Sequence, residues 1–189
     1  MRVAVERKIA GRLAQAGRNG LAGIHFWAPS AEELAAFSQA LQGTELSPEG
    51  WRLHKESVAM LEESINDAEG RAWLKLAAAV DAGGRVLAFA LVDDGSDEHG
   101  FEVITLAAEE GKGFGSALLA ALGRQAGGEL YLDSEAAADE FYDAMGMQEG
   151  DGWRLWGRED CAKAALLLEQ SGITIFSQAP QRGALVQEL

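Results

Sequence analysis

The chain has 189 residues, 48% of them hydrophobic, so it can form one domain with a sizeable core and lacks the composition of a disordered protein. Its 30 acidic residues outnumber 16 basic ones, for a formal net charge of −14. This charge repels phosphate backbones, so we expect no nucleic acid among the partners, and it weakly favours a cationic substrate.

Cys161 is the only cysteine, which excludes an intramolecular disulfide and agrees with a reducing compartment. It lies in an apolar helical pattern with no histidine nearby in sequence, so we interpret it as a packing residue. No apolar run approaches the roughly 18 residues of a membrane helix. We therefore expect a cytoplasmic protein without a membrane partner.

The first half of the chain begins with helix signals. Val5, Ile9 and Leu13 recur at helical spacing and predict an amphipathic helix that lies on the surface or contacts a partner. After a short strand at 24–27, Ser30 and Glu33 match the S-x-x-E capping box, which predicts a helix that ends at Gly43. Ser47 and Pro48 predict another helix, with an apolar stripe formed by Val58, Leu61 and Ile65.

Three consecutive strands follow, and then helices and strands alternate. Apolar runs at 73–80 and 85–92 flank a turn at 81–84, and 101–107 is the third strand. The later predicted elements are a leucine-rich helix after residue 116, a strand at 130–132, a helix capped by Ser134 and ended by Gly146, a hairpin turning at Asp151 and Gly152, a helix at 159–170 and a strand at 173–176. This order predicts an α+β fold.

A glycine-rich loop, Gly111-Lys112-Gly113-Phe114-Gly115-Ser116, joins the third strand to the leucine-rich helix. Its successive amides and the positive end of the helix predict an anion site suited to a pyrophosphate, to which Lys112 and Ser116 could add contacts. Gly111, Gly113 and Ser116 also nearly fit the dinucleotide fingerprint, with Asp133 as its acidic residue. The preceding antiparallel hairpin argues against that Rossmann-type alternative.

Two segments together resemble the GNAT (GCN5-related N-acetyltransferase) superfamily. SEAAADEFYDAMGM at 134–147 is similar to its signature of an alanine before F-Y-x-x-x-G-[FM], and 110–115 is similar to its Q/R-x-x-G-x-G/A motif. The resemblance implies a mixed, mostly antiparallel central sheet flanked by helices, with extra N- and C-terminal helices. We expect an extension at 1–20, the acetyltransferase domain at 21–157 and a second extension at 158–189, which covers the sheet edge or forms a homodimer contact.

The resemblance also implies acetyl-CoA-dependent acetylation of a small-molecule or protein amine, with no metal. The strand before the loop would separate from its neighbour, and pantetheine would pair with the backbone near Ile104, Thr105 and Leu106. Pyrophosphate would bind the amides of 111–116. A neutral amine would then attack the thioester directly.

For catalysis, Tyr142 matches the family's tyrosine that protonates the departing thiolate. A tyrosine normally keeps its proton at neutral pH and can donate it. Glu102 is the candidate general base, and His99 lies just before that strand. His25 and His54 have no partners at ligand spacing, so we interpret both as structural or surface residues.

Two departures from the family pattern keep a non-catalytic alternative open. Glu110 stands at the usual Gln/Arg position, and Glu135 stands where many members have a coenzyme-contacting asparagine. Carboxylates near phosphates are unfavourable. A degenerate GNAT-fold binding or structural module would keep the fold and lose affinity for acetyl-CoA.

Overall fold

The computed structural model describes residues 1–43, 62–63, 66, 73–95, 100–134, 138–150 and 152–180. The described part contains five helices, α1 (Val3–Arg18), α2 (Ala31–Gly43), α3 (Phe114–Ala126), α4 (Asp139–Ala144) and α5 (Arg158–Gln170). Its strands are β1 (Gly23–Trp27), β2 (Leu74–Val80), β3 (Val86–Asp93), β4 (Gly100–Ala108), β5 (Glu129–Asp133), β6 (Gln148–Gly150), β7 (Trp153–Trp156) and β8 (Thr174–Phe176).

All eight of these strands form one sheet in the order β6-β7-β5-β4-β3-β2-β1-β8. Strands β1 to β4 pair antiparallel, as do β5, β7 and β6, whereas β4–β5 and β1–β8 are parallel. The predicted mixed, mostly antiparallel α+β sheet is confirmed. The Rossmann-type alternative is wrong, because the strand before the glycine loop pairs antiparallel with β3.

The two faces of the sheet carry separate hydrophobic clusters. The larger cluster joins the sheet to α1, α3, α4 and α5. The smaller cluster packs Leu34 and Phe37 of α2 on the opposite face, where Phe37 and Phe89 meet edge to face at 5.4 Å. The sheet is therefore buried on both faces over its centre, which explains the continuous apolar runs of β2 and β3.

Helix α1 packs on its own chain. Ile9, Leu13 and Ala16 are fully buried against the larger cluster, and Lys163 of α5 forms an ion pair with Glu6 at 3.4 Å. The predicted amphipathic surface helix is present, and the alternative in which its apolar stripe contacts a partner is wrong. Packing on α3 and α5 buries this apolar stripe.

The predicted helix cap at Ser30 and the predicted covering of a sheet edge are both confirmed. Ser30 Oγ accepts a hydrogen bond from the Glu33 amide, and Glu33 Oε2 accepts one from the Ser30 amide, which completes the capping box. Strand β8 pairs with β1, so the C-terminal segment covers a sheet edge. The helix predicted from Ser47, with Val58, Leu61, Ile65 and nearby His54, lies almost wholly outside the described residues.

Within the described ranges, none of the helices has the length and apolar character needed to cross a bilayer. The same residues include no group of three or more side chains suited to hold a metal ion.

Candidate coenzyme and acyl-transfer site

Strands β4 and β5 separate at the centre of the site. They are paired at Gly100–Glu129, Phe101–Leu130 and Glu102–Tyr131, and the described register ends there. Strand β4 nevertheless continues to pair with β3 as far as Ala108. A gap therefore opens beside the second half of β4, where an extended ligand can add to the strand.

A β-bulge lies at the point of separation. Leu91 pairs with Thr105 and Val92 pairs with Val103, so Ile104 is an extra residue on β4. A bulge bends its strand and increases the local twist. The bulge lies two residues after Glu102, the last residue of β4 that pairs with β5. Thr105 and Leu106 are half-buried.

Beyond β4, the glycine loop leads into the first turn of α3. Gly111 and Gly113 have φ values of 73° and 84°, which favour glycine, and Gly113 is the N-cap residue. Among the described residues, no side chain caps this helix end. The first amides of α3, from Phe114 to Ser116, are thus left for another acceptor, and the helix end attracts negative charge.

The three glycines have different roles. A Cβ at Gly113 would lie 2.3 Å from the Arg12 carbonyl oxygen of α1. Glycine at this position therefore allows the loop to turn and also allows α1 to pack against it. A Cβ at Gly115 would meet Phe141 and Leu106 at 3.5 and 3.7 Å, whereas at Gly111 no atom of the described residues lies within 4 Å. Packing of α1 therefore requires glycine at position 113, whatever the loop binds.

The side chains of the loop also differ in their exposure to solvent. Phe114 and Ser116 are 3% and 2% exposed, so both are packed within the protein, and the contact expected from the Ser116 hydroxyl stays a prediction. Lys112 is half-buried and remains the loop's candidate cation. Glu110, at the motif's Gln/Arg position, is exposed.

Glu102 lies at the last β4–β5 pair and is half-buried. Its neighbours Phe101 and Val103 point into the larger cluster, so alternation places Glu102 on the opposite face, with Ile104. Burial, and secondarily the Asp93 carboxylate opposite it on β3, raise the pKa of Glu102 from 4.5. A raised pKa makes a carboxylate a better general base near neutral pH.

Tyr142 is 7% exposed and belongs to the larger cluster, on the α4 side of the sheet. Its ring contacts Phe141 at 5.0 Å. Glu102 and Tyr142 therefore lie on opposite sides of the sheet that opens between β4 and β5. His99 and Glu135 fall outside the described residues, while His25 bonds to the Gln178 carbonyl and stacks on Phe176, as a structural histidine does.

A polar network that no sequence pattern predicted holds α4 on the sheet. Arg154 of β7 is 4% exposed and binds Asp143 at 2.6 Å and Asp139 at 3.0 Å. Ser134 donates a hydrogen bond to Asp139 at 2.6 Å, and the described helix begins at Asp139. The amides that Ser134 would cap, at 136–137, lie outside the described residues. Hydrogen bonds from Ser134 and Arg154 lower the pKa of Asp139. The sequence signal for this network was Arg154, an arginine within the short strand β7.

Cys161 lies in the larger cluster at 3% exposure, which confirms the packing interpretation. Burial and the nearby Asp160 raise the pKa of its thiol to about 12. A thiolate is the reactive form, so this residue is a poor nucleophile.

Comparison with known proteins agrees with the fold. The model of the Acetyltransferase (GNAT) family matches residues 33–147, more than half of the chain. A crystal structure described as a GNAT-family acetyltransferase from Desulfovibrio desulfuricans aligns with 12% identity and a TM-score of 0.51, covering 72% of this chain and 99% of the other. No curated protein matched the sequence significantly.

A chain from the KacTA–DNA complex aligns with 17% identity and a TM-score of 0.51, covering 74% of this chain and 95% of the other. At this identity the likeness concerns the fold alone. The DNA of that complex is a property of that protein, and the expectation of no nucleic-acid partner stays a prediction for this chain. The family match and the eight-stranded sheet agree, and this chain belongs to the Acetyltransferase (GNAT) family.

Proposed function

We propose that the chain is an acetyl-CoA-dependent N-acetyltransferase that acts on a small-molecule or protein amine. One observation carries the proposal: the gap between β4 and β5 leads directly to the uncapped, glycine-started N-terminus of α3. An extended pantetheine fits beside β4 at Ile104 to Leu106, and a pyrophosphate fits the amides at 111–116.

In this proposal Glu102 and Tyr142 handle the protons. The amine nitrogen attacks the thioester carbon, the carbon–sulfur bond breaks, and the thiolate takes a proton from the Tyr142 hydroxyl. Glu102, directly or through water, takes the proton that the amine gives up. Placement of the two groups on opposite sides of the sheet supports these separate roles, because the thioester would lie in the gap between them.

A catalytically degenerate GNAT-fold module is the second candidate, because exposed Glu110 places a carboxylate next to the glycine loop. Calorimetric titration with acetyl-CoA, desulfo-CoA and NADH separates the cases. We expect the two coenzyme A compounds to bind and NADH to be inert. An amine panel, followed by release of the coenzyme A thiol, then tests turnover.

Absence of coenzyme binding would refute the acetyltransferase proposal and favour the module, which has lost affinity for acetyl-CoA. Binding without turnover on any amine would refute the transfer step alone. A cytoplasmic location and a homodimer remain parts of the proposal that fractionation and sedimentation can test. Salt-sensitive binding to DNA or tRNA would overturn the expectation of no nucleic-acid partner.

A further inference from the structure

Helix α1 lies directly against the glycine loop. Gln15 Nε2 donates a hydrogen bond to the Gly111 carbonyl at 2.5 Å, and Asn19 Nδ2 donates one to the Lys112 carbonyl at 3.1 Å. The α1 backbone at Arg12 and Ala16 also approaches Gly113 closely enough to exclude a Cβ. Two consecutive loop peptides are therefore fastened to α1 by their carbonyl groups.

This arrangement orients the loop amides. In a planar trans peptide the N–H points opposite to the C=O. Because the carbonyls of Gly111 and Lys112 point at α1, the amides of Lys112 and Gly113 point away from it. These two amides are continuous with the uncapped first turn of α3 and extend its row of donors.

Helix α1 also brings a positive charge to the same place. The Arg12 guanidinium lies 5.8 Å from the centre of the Phe141 ring, and Phe141 in turn borders Gly115 in the first turn of α3. Arg12 is half-buried and makes no ion pair within the described ranges. A cation without a carboxylate partner among those residues thus stands beside the helix end, in a chain with a net charge of −14.

We propose that α1 is part of the coenzyme site. Arg12 supplies the positive charge for coenzyme phosphate that the loop's own sequence lacks at Glu110, and Gln15 and Asn19 are positioning residues that keep the loop amides turned toward the ligand. This inference rests on the proposed function. It assigns a binding role to a segment outside residues 33–147, the part matched by the family model.

The first test measures coenzyme A binding by calorimetry for Arg12→Gln and for Arg7→Gln, which removes the same charge from an exposed position of α1. Loss of a hydrogen bond to a charged group predicts a rise in Kd of about tenfold to a hundredfold for Arg12→Gln. Arg12→Lys should restore part of the affinity. Repetition with 3′-dephospho-coenzyme A tells whether the 3′-phosphate or the pyrophosphate is the contact.

The second test uses Gln15→Met, which keeps the length of the side chain and removes its amide group, with Gln39→Met on exposed α2 surface as the control. We expect Kd to rise roughly two- to tenfold at an unchanged Tm. The inference is overturned if Arg12→Gln shifts Kd no more than Arg7→Gln while the parent protein binds coenzyme A. If the parent does not bind it, the proposed function fails as well.

Discussion

Glu102 on β4 lies directly opposite Asp93 on β3, so two carboxyl groups face each other across neighbouring antiparallel strands. Like charges in this position destabilise a strand pair. Together with burial, this contact raises the pKa of Glu102. The same residue forms the last pair between β4 and β5, so a carboxyl group with an elevated proton affinity stands where the gap begins.

Replacement of Glu102 by Gln should lower kcat/KM for the acceptor and remove the limb of the pH–rate profile that belongs to this group. A general base acts when deprotonated, so the parent rate should rise with pH through a pKa above 4.5. Loss of one acid–base group costs about 10²–10⁴ in rate. Steady-state kinetics against pH checks this, and a variant with the parent profile would contradict the role of Glu102.

The Glu102→Gln variant should also be more stable than the parent at neutral pH. A carboxyl whose pKa is raised by folding contributes stability below its unfolded pKa and loses it as pH rises through the folded value. The stability advantage of the variant should therefore grow with pH above 4.5 and vanish at lower pH. Thermal denaturation across this range measures it, with Glu149→Gln on exposed β6 as the control.

Tyr142→Phe should reduce turnover by about 10²–10⁴ while acetyl-CoA affinity stays nearly constant. Phenylalanine keeps the volume that Tyr142 fills in the cluster and removes only the hydroxyl. Tyr131 is the chain's other tyrosine, so Tyr131→Phe is the matched comparison. If Tyr142→Phe retains most of the parent rate when the chemical step is rate-limiting, then water or another residue supplies the proton to the thiolate.

Arg154→Met should lower Tm and turnover together. It removes both ion pairs that hold α4, the helix of Tyr142, on β7. The deficit should shrink at acid pH, because a carboxyl with a lowered pKa contributes stability above its unfolded pKa and loses it as pH falls through the folded value. A double-mutant cycle with Asp143→Asn measures the coupling, and additive effects would show that the pair is not coupled.

Gly113→Ala should destabilise the protein more than Gly127→Ala. Both glycines have positive φ, which costs roughly 1–3 kcal/mol for other residues. Only at Gly113 would the new Cβ also collide with the α1 backbone, whereas at Gly127 no atom of the described part lies within 4 Å. Chemical denaturation compares the two, and faster hydrogen exchange in α1 of Gly113→Ala would identify the displaced helix. Equal losses of stability in the two variants would mean that α1 moves away from the new Cβ with no cost in free energy.

Sequence patterns of short range were sufficient for much of the architecture. The Ser30–Glu33 capping box, the β2–β3 hairpin and the glycine start of α3 each depend on residues close together in the chain. Local propensities and hydrogen bonds decide such features, so they can be predicted from the residues themselves. The Arg154 contacts with Asp139 and Asp143 could not, because they join α4 to a strand of the following hairpin through side-chain geometry.

By itself, then, the sequence determined that this chain has an α+β fold, a glycine loop before a helix and a GNAT-type motif after it. Tertiary structure alone decided where helix α1 lies and therefore what Gly113 and Arg12 contact. The amphipathic pattern of Ile9 and Leu13 predicts that one face of α1 is buried. It does not indicate which elements that face packs against. Only the packing of α1 on α3 and α5 places the side chain of Gln15 on the loop, 96 residues away in sequence.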